Sequence, residues 1–147
     1  MPDIERRASA TWTGDLQKGS GTASVPSGAL KDVKISVGSR FGNETGSNPE
    51  ELLAAAHASC FSMQLSAVLS QEGHPPQAIR TNVTLSMRPV AGGFQIYKMH
   101  LDTEGKVPGI DETAFRAAAE KAKEICPVSG LLKPGLEALT LNAKLVS

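Results

Sequence analysis

The chain is predicted to be an α+β protein, an antiparallel sheet around a long central buried helix, and three observations predict it. Short runs of alternating apolar and polar side chains recur from Ala8 to Leu145, separated by Gly- and Pro-rich turns. Two stretches replace that alternation with helical spacing, one uncharged and one amphipathic. The resulting order is β-β-β-α-β-β-α-β, and hairpin spacing between strands implies antiparallel pairing with helices against one face.

In order along the chain, Ala8, Ala10 and Trp12 alternate with Ser9, Thr11 and Thr13. Residues 14–21 supply a turn, β character resumes at 22–25, and Val33, Ile35 and Val37 alternate again. Residues 38–48 read as a loop rich in Gly and Asn, which tolerate positive φ. Asn48-Pro49-Glu50-Glu51 is a strong helix start: Asn caps, Pro is tolerated in the first turn, and the acids favour the positive dipole end. That helix should end near Gln71, where Gly73-His74-Pro75-Pro76 stops it. Thr81, Val83, Leu85 and Met87 mark a strand, Gly92-Gly93 a hairpin, and residues 94–103 the return. Asp111 is placed to cap a helix with Phe115, Ala118, Ala119, Ala122 and Ile125 on one face. Leu139, Leu141, Ala143 and Leu145 mark a last strand.

A length of 147 residues fits one domain, 1–147, or one protomer of a tight oligomer. Aromatics are only 4% of the chain, so the core must come from Ala, Leu, Val, Ile and Met. Such a domain often completes its core by dimerising. The 15 basic and 15 acidic residues cancel without a dense Lys/Arg run, which argues against nucleic acid as a partner. The first residues hold no apolar secretory segment, so a cytoplasmic setting is expected, where structural disulfides are disfavoured. Residues 52–71 carry no formal charge and are long enough to span a bilayer. His57, Ser59, Ser62, Gln64, Ser66, Ser70 and Gln71 interrupt them, so no membrane span is expected and a helix buried on most sides within protein is.

The two cysteines carry the functional reading. Cys60 is too deep in its helix for the terminal dipole to activate it, and its neighbours bring no cation. Taken alone it reads as a buried inert thiol; reactivity requires a positive partner, for which Arg40 is the candidate. Cys126 precedes Pro127 and so can cap a short helix beginning Pro-Val-Ser, where an exposed, exchange-competent thiol is expected. His57 and Cys60 share a helical face and Cys126 could join them on a metal, but no Cys-x-x-Cys pair or second spaced His is present. No metal and no cofactor are expected.

Together, SNPEELLAAAHASCFSMQLS, KAKEICPVSGLL and the preceding SRFG resemble the osmotically inducible protein C and organic hydroperoxide resistance (OsmC/Ohr) superfamily. The likeness covers nearly the whole chain. The VPGID segment at 107–111 is similar to the OsmC branch. Gly130 stands where a polar side chain is expected. The resemblance implies an OsmC-like fold, an intertwined homodimer, and a cysteine-based peroxidase acting on organic hydroperoxides, less efficiently on hydrogen peroxide. It implies Cys60 as the peroxidatic thiol, Cys126 as the resolving thiol, and Glu50 as the carboxylate that pairs with the activating arginine. Arg40 best matches that arginine; Arg6 and Arg7 are poorer candidates. The implied reductant is an external dithiol of lipoyl type.

Helix geometry adds an argument about assembly. Glu50 and Cys60 are ten residues apart, about 15 Å along one helix. One Arg40 can hardly pair closely with Glu50 and touch Cys60 of the same helix. Two antiparallel copies about a twofold would bring Glu50 of one chain towards Cys60 of the other. An apolar pocket near Cys60 would draw on Phe41, Phe61 and Met63. Two rivals remain at this point: a non-catalytic stress-associated binding protein of the same fold, and a thiol–disulfide exchanger that uses Cys126.

Overall fold

A computed structural model describes all 147 residues and divides them into two compact units, Met1–Leu52 and Leu53–Ser147. In the first, strands β1 (Ser9–Thr13), β2 (Ser20–Ser24) and β3 (Val33–Ile35) pair antiparallel in that order. A short helix, α1 (Val37–Phe41), follows within the segment read from sequence as loop. Ser36 and Ser39 build it by reciprocal capping: the Ser39 N–H donates to Ser36 Oγ at 3.0 Å and the Ser36 N–H to Ser39 Oγ at 2.9 Å. Serine in place of Glu or Gln at the third position weakens the sequence signature of such a box. Five residues are also too few to show a period.

Helix α2 spans Pro49–Gln71 as its start and stop signals predict. Asn48 Oδ1 accepts the Glu51 N–H at 2.8 Å, and Asn48 Nδ2 donates to the Ser39 carbonyl at 2.9 Å. One side chain thus caps α2 and ties it to α1.

In the second unit, β4 (Ala78–Val90) and β5 (Gly93–Lys106) form a long antiparallel hairpin whose turn needs Gly92 at φ +84. Helix α3 (Glu112–Ile125), capped by Asp111, then leads through α4 (Pro127–Leu132) and a 3₁₀ turn (Lys133–Gly135) to β6 (Ala138–Val146). β6 lies parallel to β5, with Lys98 opposite Ala138 and Lys106 opposite Val146. Strand alternation and hairpin spacing predict one antiparallel sheet; the structure holds two three-stranded sheets and one parallel pair. Parallel neighbours need a crossover of roughly a dozen residues or more, which α3, α4 and the 3₁₀ turn provide. Strand periodicity carries no information on direction.

The apolar core belongs to this second unit: Phe61, Leu65, Val68 and Leu69 of α2 meet Leu101 of β5 and Phe115, Ala118, Ala119 and Ala122 of α3. Each large apolar side chain removed from water contributes about 1.5–3 kcal/mol. Alanine lets α3 lie close, and Gly105 lets Phe115 rest on β5, since a Cβ there would fall 2.4 Å from the ring. Ile125, expected on the same face, is 51% exposed because the backbone turns out of the helix at Cys126.

By length and hydropathy alone α2 could cross a membrane. It instead buries Phe61, Leu65, Val68 and Leu69 in this core, and Ser62 Oγ donates to Thr81 Oγ1 at 2.8 Å. Burial on most sides was expected, but within one chain it is one-sided. Ala55, Ala56, Ser59 and Met63 form an uncharged exposed stripe, with Met63 73% exposed.

Candidate active site

Cys60 faces outward from the middle of α2 just enough to be half-buried, while Cys126 sits at the junction of α3 and α4 and is 1% exposed. Both are free thiols, and Cys126 Sγ donates to Cys60 Sγ across 3.3 Å. Residues 66 positions apart are therefore brought into contact. The junction explains how: Cys126 has extended backbone (φ −63, ψ 122), and its N–H still bonds the Ala122 carbonyl as the last rung of α3. Pro127 then starts α4 in a new direction, as Pro at the first helical position allows. The short helix at Pro-Val-Ser forms as the sequence predicts. The exposed thiol expected there does not, because the turn points the Cys126 side chain into the core.

Burial pushes the Cys60 thiol up from its ordinary value, the Cys126 thiol adds to that, and a hydrogen bond from the Val128 N–H opposes it. Each of these influences comes from residues 53–147. Desolvation disfavours the thiolate and dominates, so a nucleophilic Cys60 needs an added positive charge.

In the first unit, Arg40 and Glu50 form a fork. Arg40 Nε donates to both carboxylate oxygens at 3.0 and 3.2 Å, and its terminal nitrogen to Oε1 at 2.7 Å. Glu50 is only 13% exposed and Arg40 35%, so the pair is partly shielded from solvent screening. The capping box of α1 and the Asn48 tie hold both ends of this fork. The Arg40 guanidinium also lies 5.2 Å from the centre of the Phe41 ring. Arg6 and Arg7 interact instead with their neighbour Glu5, by a backbone and a side-chain contact respectively. Of the three residues expected to line an apolar pocket, Phe61 lies in the core, while Phe41 and Met63 are exposed.

One pairing had no signal in the sequence. His57, fully buried on α2, has its Nε2 2.8 Å from Ser129 Oγ on α4. Burial holds its imidazole below its ordinary pKa, hence neutral. Its Nδ1 is buried without a hydrogen-bond partner, an omission that costs about 1–3 kcal/mol. The i,i+3 spacing of His57 and Cys60 and of Cys126 and Ser129 was visible in the sequence, but the two pairs lie too far apart in the chain to be matched without the fold.

A contacting free dithiol at a helix junction, in an α+β scaffold whose long helix begins at a fork-bound carboxylate, defines a dithiol protein. Comparison with known proteins narrows the class. The chain belongs to the OsmC-like protein family, whose model matches residues 42–138. It is 45% identical over 130 residues to peroxiredoxin OsmC of Escherichia coli (strain K12), a match covering 88% of this chain and 91% of that protein. It is 30% identical over 133 residues to the organic hydroperoxide resistance protein of Xanthomonas axonopodis pv. citri (strain 306), covering 88% and 89%. The fold matches that of an OsmC-like protein from Mycoplasma pneumoniae with a TM-score of 0.76, at 20% identity and covering 99% and 100%.

Proposed function

We propose that this chain is a thiol peroxidase of oxidative and osmotic stress defence that reduces organic hydroperoxides, and hydrogen peroxide less efficiently. The relatives named peroxiredoxin and organic hydroperoxide resistance protein support a peroxide-related stress role. The observation that carries the reading is the pair of free thiols 3.3 Å apart.

In the proposed cycle the Cys60 thiolate attacks the distal oxygen of ROOH. The O–O bond breaks, RO⁻ leaves and takes a proton, and Cys60 becomes a sulfenic acid. The Cys126 sulfur then bonds Cys60, and the displaced hydroxyl leaves as water with the Cys126 proton. An external dithiol, of the lipoyl type, reduces the disulfide by exchange and is itself oxidised by two electrons.

The charge that Cys60 needs is assigned to Arg40, oriented by Glu50, with the arginine also stabilising the leaving alkoxide. Because Glu50 and Cys60 stand about 15 Å apart on α2, the Arg40 that serves each Cys60 is proposed to come from a second copy of the chain. The exposed, uncharged stripe of Ala55, Ala56, Ser59 and Met63 supports an antiparallel contact between two α2 helices. On this reading each protomer is a single domain completed by its twin in an intertwined homodimer. A cytoplasmic setting, where free thiols persist, is part of the same proposal. The exchanger reading is weakened by Cys126 being 1% exposed, since an exchanging thiol must meet its partner's sulfur.

Stopped-flow oxidation of the reduced protein by cumene hydroperoxide and hydrogen peroxide tests the proposal. Fast oxidation that is lost in Cys60→Ser, with a trappable sulfenic acid in Cys126→Ser, is expected. Slow oxidation of the wild type by both peroxides would leave the fold without this chemistry.

A further inference from the structure

We propose that His57 and Ser129 are positioning residues: their buried hydrogen bond holds Cys126 against Cys60, so that the second thiol captures the oxidised first one before it oxidises further. The inference rests on the peroxidase reading for its role in the cycle, but its geometric content does not.

Two rungs join α2 to the start of α4. One is the thiol contact at 3.3 Å and the other the His57–Ser129 bond at 2.8 Å. Each rung uses residues three apart on its own helix, Cys60 with His57 and Ser129 with Cys126, so the two lie on adjoining turns. The thiol rung is the one the reaction must break. Oxygen is added to Cys60, and the sulfurs must afterwards approach to about 2.05 Å to form the disulfide. The imidazole–hydroxyl rung contains no reacting atom, so no step of the cycle has to break it.

Helix α4 needs such a tie. It has six residues, and its N-cap, Cys126, makes no side-chain capping bond. A helix that short has no stability of its own in water, so its seat is set by what it touches. His57 and Ser129, at 0% and 1% exposure, are the polar part of that seat. The unpartnered Nδ1 sharpens the point. An apolar side chain at position 57 would fill the volume without burying an orphaned nitrogen. A purely space-filling role therefore does not account for the imidazole; one that directs a hydrogen bond at α4 does.

The step served is Cys60–SOH + Cys126–SH → Cys60–S–S–Cys126 + H₂O, and its rate depends on the local concentration of one sulfur about the other. That quantity can be measured without peroxide, by equilibrating the reduced protein with mixtures of glutathione and glutathione disulfide. Ser129→Ala, which removes one oxygen from the buried site, is expected to weaken disulfide formation by about fivefold, the weight of one net hydrogen bond. His57→Gln, whose amide nitrogen can reach the position of Nε2, is expected to stay within about twofold of wild type. Under excess hydroperoxide, mass spectrometry should find more Cys60 sulfinic acid in Ser129→Ala than in His57→Gln. A Ser129→Ala equilibrium within about twofold of wild type, or an equal loss in His57→Gln, would overturn the proposal. Because the exchange needs no peroxide, a chain inert to hydroperoxides would sink the peroxidase reading and still decide this one.

Discussion

In Met1–Leu52 the buried side chains are Ser36, Ser39 and Asn48, whereas in Leu53–Ser147 they are chiefly Phe61, Leu65, Leu69, Leu101 and Phe115. The first unit is tied by hydrogen bonds between serines, Asn48 and backbone, and it ends in the Arg40–Glu50 fork. The second closes on an apolar core with the dithiol at its edge. No apolar side chain of the first unit is buried, and a three-stranded sheet without a buried face is marginal in water. A polar unit can orient a guanidinium well while contributing little to stability. An apolar unit can hold two sulfurs together but, by desolvation, opposes ionising either of them. The proposed chemistry draws on both, the fork of the first unit and the dithiol of the second.

The contrast can be tested from the core outward. Phe115→Ala should destabilise by about 3–5 kcal/mol, the usual cost of emptying a buried aromatic site. Urea unfolding followed by circular dichroism measures it, and a loss below 1 kcal/mol would mean the second unit is not organised around this core. Met63→Glu places a carboxylate in the exposed stripe of α2, and a dimer packed there should weaken by about 2–4 kcal/mol. Sedimentation velocity should then show a monomer at micromolar concentration; an unchanged dimer would move the interface elsewhere.

Asn48→Ala removes both the α2 cap and the tie to α1, with an expected cost of about 1–2 kcal/mol. Amide hydrogen exchange should rise in residues 37–52 and stay unchanged in β5, which separates the two units' stabilities. The smallest effect concerns pH. The His57 pKa is lowered in the folded state by burial, so the unfolded chain binds the proton more readily. The contribution of neutral His57 is present above its unfolded pKa of about 6.5 and is lost as pH falls towards the folded value. Wild-type stability should therefore drop more steeply than that of His57→Gln below pH 6.5, by less than about 1.4 kcal/mol per pH unit. Parallel thermal melts at a series of pH values decide it.

Much of the fold was legible because its signals are local. Asn48 and Asp111 cap the helices they were expected to cap, and Gly92 turns the expected hairpin. Helix α1 escaped notice because a Ser–Ser capping box on five residues offers neither a strong motif nor a period. The parallel seating of β6 escaped because alternation reports a strand's faces and not its direction. At the candidate site, Cys60, Cys126, Arg40 and Glu50 are proposed from motif, and the structure adds the Cys60–Cys126 contact and the Arg40–Glu50 fork. The inward turn of Cys126 and the His57–Ser129 bond were not.

By itself, then, the sequence determined where the two long helices begin, which strands alternate, and which side chains are chemically able to act. Those properties depend on residues within a turn or two of each other. Only the tertiary structure decided that two thiols 66 residues apart touch, that His57 meets Ser129 across 72, and that one uncharged stripe of α2 is left exposed. Such contacts are set by how the elements pack to bury Phe61, Leu101 and Phe115 together, and no local pattern along the chain encodes that three-way fit.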